Sequence, residues 1–514
     1  MTLISQVKPN TYYDSVRLMR ASELLSNLAD ISQAIVAMGT EANKRVLAET
    51  NLMTDTVAGA GPNDLMIVIE ANSDEAGQRA LSQAEAKLAE TAPAKTAGQA
   101  VVRPRTFERA SQSLAGANLA LISVPGQYAK LEVAKALQAD MHIFLFSDNV
   151  PLAEELELKR WAVAKERLLM GPGCGTAIIN GVALAFANVV RRGPVGLVAA
   201  SGTGLQEVTC LLHRGGSGIS QAIGVGGRDL SEKIGGLMMR QGLAMLAADP
   251  QTELIVLISK PPAPVVMETI LAAAQASGKP VIVNFLGSGL SGQENGLTFT
   301  TTLEETAEAA LDYVGATDKS YFNLAASEFE ALAFTERQKL APGQRYLRGL
   351  FSGGSLCDEA MLILAGQLPA LYSNIPLRPE FALADAWQSR EHSCIDMGEE
   401  EFTQGRPHPM IDPRLRQERL LKETDDPSTA VILLDVVIGY GSHPNPAGAL
   451  AETIGAAKAS AAERGRYLAV VAHVCGTDQD PQGLERQENL LRQAGVLVLP
   501  TNAQAARVAA AVVS

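Results

Sequence analysis

Short apolar runs recur along the whole chain and alternate with stretches whose apolar positions repeat at the helical period. The runs are Leu65 to Ile69, Leu119 to Val124, His142 to Phe146, Val195 to Ala199, Leu254 to Ile258, Val281 to Phe285, Val431 to Val436 and Leu468 to Ala472. Several are apolar at nearly every position, the pattern of strands covered on both faces. Such strand-helix alternation predicts doubly wound α/β layers with parallel sheets. Two segments break it. TAPAKTAGQAVVRPRT (91–106) reads as a mobile loop, and the piece from Gly315 to Gln344, ending in APGQ, as a helical connector. Boundaries are expected near 192 and 330, which divides the chain into 1–192, 193–330 and 331–514.

An internal repeat organises the second part. Around Ser201 the chain reads GLVAASGTGLQE and around Ser352 it reads GLFSGGSLCDE. Each is a strand, a Ser-Gly turn and an amphipathic helix. Downstream, DPQTELIVLIS (249–259) parallels DPSTAVILLDV (426–436), so two related α/β units are expected to face each other.

The repeated turn carries the candidate chemistry. A strand that passes at once into a helix leaves backbone N–H groups unpaired at the helix N-terminus, where the helix dipole favours an anion. Gly202 and Gly204 allow close approach of the backbone, and Ser201 and Thr203 add hydroxyl donors. Ser352, Gly353, Gly354 and Ser355 repeat the arrangement. Two such tips aimed at one point would hold one phosphoryl group; ordinary N-capped helices with glycine for tight turning are the alternative. A nicotinamide site lacks its third glycine here, and neither G-x-S-x-G nor a P-loop occurs.

Three further residues are candidates. Lys260, in ISKPP, ends a strand at the edge where open α/β folds bind ligands, or is a solvated surface lysine. Arg228, in GGRD, would pair with a carboxylate or phosphate, or with a neighbouring acid. His408 lies in GRPHPMIDP with Arg406 and Asp412, a proline-stiffened loop that either preorganises a site or fixes a surface crossing. Of the six histidines it is the best placed general acid or base. His142 and His473 read as core residues, and His213 as an imidazolium near a helix end.

Composition narrows the classes. Apolar residues make up 47 % of 514 and charged ones 19 %, so the chain is expected to be mostly folded, in more than one domain. A net charge of -13 argues against nucleic acid as a partner. Five scattered cysteines (Cys174, Cys210, Cys357, Cys394, Cys475) indicate no disulfide frame, and no metal-ligand spacing is present. With neither a signal-peptide pattern nor a run of about 20 apolar residues, a cytoplasmic protein without membrane contact is expected.

Residues 115–315 resemble the α-subunit of succinyl-CoA synthetase, and the whole chain resembles the FdrA family of acyl-CoA-synthetase-like proteins. The carrying segments are ANLALISVPGQYAKLEVAKAL, FSDNVPLAEELELKRWA, GPGCGTAI, VGLVAASGTGLQE, GVGGRDL and DPQTELIVLI. Residues 345–500 are similar, more distantly, to the C-terminal domain of the synthetase β-subunit. The resemblance implies a Rossmann-like CoA-binding-type domain (1–192) followed by two flavodoxin-like domains, with the helices after Ser201 and Ser352 as paired phosphate-binding helices. It further implies that Val124 to Tyr128 and Ser147 to Val150 are loops of the CoA-binding domain.

Departures from the family pattern shape the expected chemistry. SGLSGQENGLTF offers no histidine where the family is phosphorylated, the orienting glutamate is replaced at Lys260, and the Asn of the Gly-Pro-Asn segment is Gly173. The first glycine-rich CoA turn is absent from VKPNTYYDS, and no ATP-grasp domain precedes the β-like part. A ready-made acyl phosphate is therefore the implied substrate, with no further cofactor required and CoA an open second ligand. Lys260 and Arg228 would stabilise the departing phosphate. Because FdrA proteins resemble subunits of an oxamate carbamoyltransferase in purine-derived nitrogen use, carbamoyl phosphate is the specific expectation, in a complex with other subunits or as a homo-oligomer. The alternatives are an NDP-forming acyl-CoA synthetase component that borrows its nucleotide site, and a non-catalytic scaffold or regulatory subunit.

Overall fold

The continuous apolar runs form strands, and a computed structural model places them in four sheets among the described residues. The structure describes all residues except 1, 12, 14–17, 19–20, 23, 26–27, 29, 51, 90–103, 105, 317, 319–321, 323–324 and 404–405. Nearly all of the expected loop 91–106 thus lies outside the described residues, as does part of the expected connector, of which Ala326–Arg337 is a helix. Contacts divide the chain into two compact units, Met1–Val102 with Glu400–Pro407, and Arg103–Glu399 with His408–Ser514.

The first unit is built on a three-stranded sheet in the order β1 (Thr2–Lys8), β3 (Leu65–Ala71), β2 (Ile31–Met38), antiparallel throughout. Central β3 buries Leu65 to Ile69 completely. One of its faces packs on the helix Asp74–Ala89 through Ala76, Ala80, Ala84 and Leu88, and the other meets Leu47, Leu52 and Val57. This corrects the expectation of one Rossmann domain over 1–192. β1 and β2 carry polar residues among their apolar ones, as strands at the sheet edges do, and so form no continuous apolar run.

The second unit holds the other three sheets. A small parallel one has the order β4 (Leu119–Ile122), β5 (His142–Leu145), β6 (Leu169–Met170). The eight-stranded sheet runs β13 (Gly292–Glu294), β14 (Leu297–Phe299), β12 (Val281–Phe285), β11 (Leu254–Ser259), β9 (Arg192–Ala199), β10 (Ile219–Gly224), β7 (Thr176–Ile179), β8 (Val182–Ala185). Its edge hairpin β7–β8 turns through Asn180 and Gly181 with φ of 50° and 79°, as a two-residue turn of this hand requires. That hairpin precedes residue 192, so the sheet begins ahead of the expected boundary.

The six-stranded sheet is parallel throughout, in the order β16 (Tyr372–Ser373), β17 (Ser393–Asp396), β15 (Tyr346–Phe351), β18 (Thr429–Val437), β19 (Ala469–Cys475), β20 (Leu497–Leu499). With the short edge strands β13 and β16 and the edge hairpin β7–β8 set aside, β10-β9-β11-β12-β14 and β17-β15-β18-β19-β20, each counted in chain order, both read second, first, third, fourth, fifth. The sequence repeat is thus a repeat of topology. Strand order reverses beside β9 and β15, and ligands of open α/β sheets bind at the carboxyl edge of such switch points. One continuous core joins the halves, with the alanine-rich helix Asn502–Val513 against both the helix Gly354–Ala365 and β18. All five cysteines are buried and free, and among the described residues no helix is long and apolar enough to cross a membrane.

Candidate functional site

β9 and β15 each end in the predicted turn, and the helices that follow, Gly202–Arg214 and Gly354–Ala365, start in contact with each other. Ser201 caps the first, accepting from the N–H of Gly204 at 3.1 Å. Its Oγ also meets Ser355 Oγ at 2.5 Å, and the Ser355 N–H donates to Thr203 Oγ1 at 3.2 Å. Glycine is required where the tips meet, since a Cβ on Gly353 would stand 2.8 Å from Thr203 Cγ2. Ser201, Thr203, Ser352 and Ser355 are all buried. The eight turn residues Ser201, Gly202, Thr203, Gly204, Ser352, Gly353, Gly354 and Ser355 therefore form one locus.

An internal carboxylate already occupies part of the second tip. Asp435, near the end of β18, accepts from the Ser352 N–H at 2.8 Å, the Ser352 hydroxyl at 3.0 Å and the Gly353 N–H at 2.8 Å. Arg416 pairs with Asp435 at 2.7 Å and donates to the Leu350 carbonyl, so this charge is matched within the core. The sequence reading missed both residues; the one available signal was the single acid in the apolar run AVILLDVV. No acceptor among the described residues meets the N–H groups of Gly202, Thr203 and Gly354, which begin the two helices and have no partner inside them. Two come from one helix and one from the other, a donor set suited to a shared anion.

Charged groups border this locus. Lys260, half-exposed after β11, lies 2.8 Å from Asp358 on the second helix. Burial opposes its charge, but Asp358, with Asp396 and Glu399 beyond, holds the ammonium above the ordinary lysine value. Burial pushes the Asp358 carboxyl up despite Lys260. Asp396, at the end of β17, is pushed up to about 7 by burial and by the charge of Glu399.

His408 stands beside Asp396. A Cβ on Gly398 would lie 2.8 Å from His408 Nε2 and 3.1 Å from Asp396 Oδ1. Burial drives the imidazole down to about 4, so it is neutral near pH 7. Its Nδ1 accepts the Met410 N–H at 3.2 Å, which puts the remaining proton on Nε2 and makes that atom a donor. The Phe186 ring, 5.7 Å away, covers the imidazole.

Arg228 is held elsewhere. Its guanidinium pairs with buried Glu155 at 2.8 Å and donates to the Val150 carbonyl, while Glu155 also holds Lys159, and Lys159 holds Asp229 at 2.8 Å. These bonds tie the helix Leu152–Ala164 to the loop after β10 and do not include the helix tips. His473 is a core residue bonded to Glu207 at 2.9 Å, and His142 accepts the Leu168 N–H. His213 sits late on its helix as expected, but burial lowers its pKa despite Asp478 at 2.6 Å, which disfavours the charged form expected there. Asp412 of the proline-rich loop pairs with Arg414. Among the described residues no group of three or more metal-ligating side chains is assembled.

Three family models match the chain: "AllF, heavy metal-associated domain" over 1–104, "CoA binding domain" over 191–287 and "CoA-ligase" over 350–512. The first 104 residues contain neither cysteine nor histidine, so the thiolate and imidazole donors that most often hold heavy metals are absent there. The Escherichia coli protein YahF, described as uncharacterized, is 48 % identical over 96 % of this chain and 95 % of its own length. The α-subunit of the ADP-forming succinate–CoA ligase of Aquifex aeolicus is 30 % identical over 28 % of this chain and 48 % of its own length. Subunit SauD of the ADP-forming sulfoacetate-CoA ligase of Bilophila wadsworthia is 29 % identical over 28 % and 50 %. The chain thus spans about half the length of these ligase subunits.

Proposed function

The chain belongs to the family of Escherichia coli YahF, within the acyl-CoA-synthetase-like superfamily, and on that footing we propose that it is a subunit of an NDP-forming acyl-CoA-ligase-type enzyme that handles an acyl phosphate between its paired helix tips. The observation that carries this reading is the 2.5 Å approach of Ser201 Oγ to Ser355 Oγ, which brings two N-terminal dipoles to one place. With its phosphoryl oxygens on the N–H groups of Gly202, Thr203 and Gly354, an acyl phosphate would have its leaving group stabilised as a nucleophile attacks the carbonyl. Lys260 stands beside the site as a cation, and His408 offers Nε2–H as a neutral donor in the manner of an electrophilic histidine. Arg228 would act through the Glu155 network, positioning the loop after β10, and not at the phosphate itself. A nucleotide site would come from another chain, as in enzymes built of separate subunits.

A second reading takes carbamoyl phosphate as the acyl phosphate and an oxamate-type acceptor as the nucleophile. It is favoured by the segment SGLSGQENGLTF (288–299), which follows β12 and runs through β13 and β14 and has no histidine to become phosphorylated, so the donor would arrive already activated. Calorimetric titration with CoA, acetyl phosphate and carbamoyl phosphate separates the readings. Binding of CoA and acetyl phosphate supports the ligase-type subunit, and binding of carbamoyl phosphate without CoA supports carbamoyl transfer. Failure of all three removes both and leaves a scaffold.

A further inference from the structure

Asp396 is 3 % exposed, and its backbone is fixed by Asn374, which accepts its N–H at 3.0 Å and donates to its carbonyl at 2.9 Å. Oδ1 accepts the Gly398 N–H at 2.9 Å. Oδ2 receives no hydrogen bond from any described residue, and a Cβ on Gly354 would stand 2.6 Å from it. The carboxyl therefore faces the first residue of the second helix, whose N–H is one of the three left for an anion. Asp435, at the same turn, differs in every respect, with three donors and an arginine to itself. One carboxylate caps the turn, and the other turns toward its open side an oxygen, Oδ2, that has no donor among the described residues.

An ionised Asp396 would repel a phosphoryl group in this buried place, whereas a protonated one would donate to it. The groups around it do not supply the missing proton. Glu399 follows it in the chain, Asp358 on the second helix is taken by Lys260, and Asp435 by Arg416. His408 is neutral and turns Nε2–H toward the space by Gly398, and the Cys357 thiol is held well above its ordinary value by burial.

We propose that Asp396 shares one proton with the anion between the helix tips, so that a phosphate dianion enters the site only with uptake of that proton. The inference rests on reading the tips as a phosphoryl site. It makes Asp396 the group that couples anion affinity to pH, and burial with the neighbouring Glu399 places its proton near neutrality.

The test is calorimetric titration of the full chain with inorganic phosphate at pH 8.5, where a phosphate with a second pKa near 6 to 7 is almost wholly dianionic, repeated in buffers of different ionisation enthalpy. The native chain is expected to take up about one proton per phosphate, with affinity falling about tenfold between pH 7.5 and 8.5. Asp396→Asn is expected to take up almost none and to show a nearly flat profile over that interval. No uptake by the native chain, or equal uptake by the variant, overturns the proposal while leaving the anion site standing. Absence of phosphate binding to the native chain overturns both. If the variant does not fold, the proton count on the native chain decides alone.

Discussion

Gly398 has no side chain, and the place where one would begin is bounded by His408 Nε2 at 2.8 Å, Asp396 Oδ1 at 3.1 Å and the Ser352 carbonyl at 3.1 Å. Adding a methyl group must displace at least one of them, and overpacking of this kind costs about 1–3 kcal/mol. Gly398→Ala is expected to lower the urea midpoint and to weaken phosphate binding, both measurable on one preparation; an unchanged midpoint with unchanged affinity would contradict the geometry. His408 itself is assigned a neutral donor role, which His408→Gln conserves through its amide and His408→Ala abolishes. Phosphate affinity should fall about tenfold in the alanine variant, the worth of one good hydrogen bond, and far less in the glutamine variant. Equal losses would show that His408 acts through its shape.

At this scale the sequence revealed the turn residues because Ser-Gly in small surroundings occurred twice. It did not reveal Asp396 or Asp435. A single acid closing an apolar run looks the same whether it faces solvent, caps a helix or waits without a donor, and only the neighbouring strands decide which.

The element that matters most is the pair of helices that begin at Ser201 and Gly353. Ser201 both caps its own helix and touches the other, so Ser201→Ala is expected to cost about 1 kcal/mol of stability from the cap alone and to weaken phosphate binding as well. Lost stability with unaltered binding would reduce Ser201 to a cap. Farther along the same helices lies a buried acidic cluster. Glu359 accepts from the Leu303 N–H at 2.6 Å and from Asn502 at 2.8 Å, and burial, with Glu207 and Glu304 near, pushes its carboxyl up to about 7 from an ordinary 4.5.

Between about pH 4.5 and 7 the folded chain therefore holds a proton that the unfolded chain has released, so stability falls as pH rises through this window and levels off above it. The difference is on the order of 3 kcal/mol, and Asp396 contributes in the same sense. Urea midpoints from pH 4.5 to 8 should show the decline, and Glu359→Gln should flatten part of it; a variant as steep as the native chain would refute the assignment. Strands buried on both faces could be read directly from the chain. The antiparallel sheet of the first unit could not, because β1 and β2 mix polar with apolar residues and the run in β3 says nothing of its neighbours' direction.

On the scale of the whole molecule, two halves with the same strand order are fused and share one core, so the meeting of the tips is fixed by intramolecular packing. Packing of the C-terminal helix against the second tip's helix and β18 gives that arrangement its support. The repeat of topology was visible as a repeat of turns and Asp-Pro strands. What was not visible is that the second tip would be half filled by Asp435, which reduces the open donors to Gly202, Thr203 and Gly354.

The most direct test of a shared anion is therefore a titration of glycine-selective ¹⁵N-labelled protein with inorganic phosphate. The amides of Gly202 and Gly354 should shift together along one binding curve, whereas the Gly353 amide, already given to Asp435, should move much less. Movement of one tip without the other, or two unequal curves, would contradict the convergence of the two helices on a single phosphoryl group.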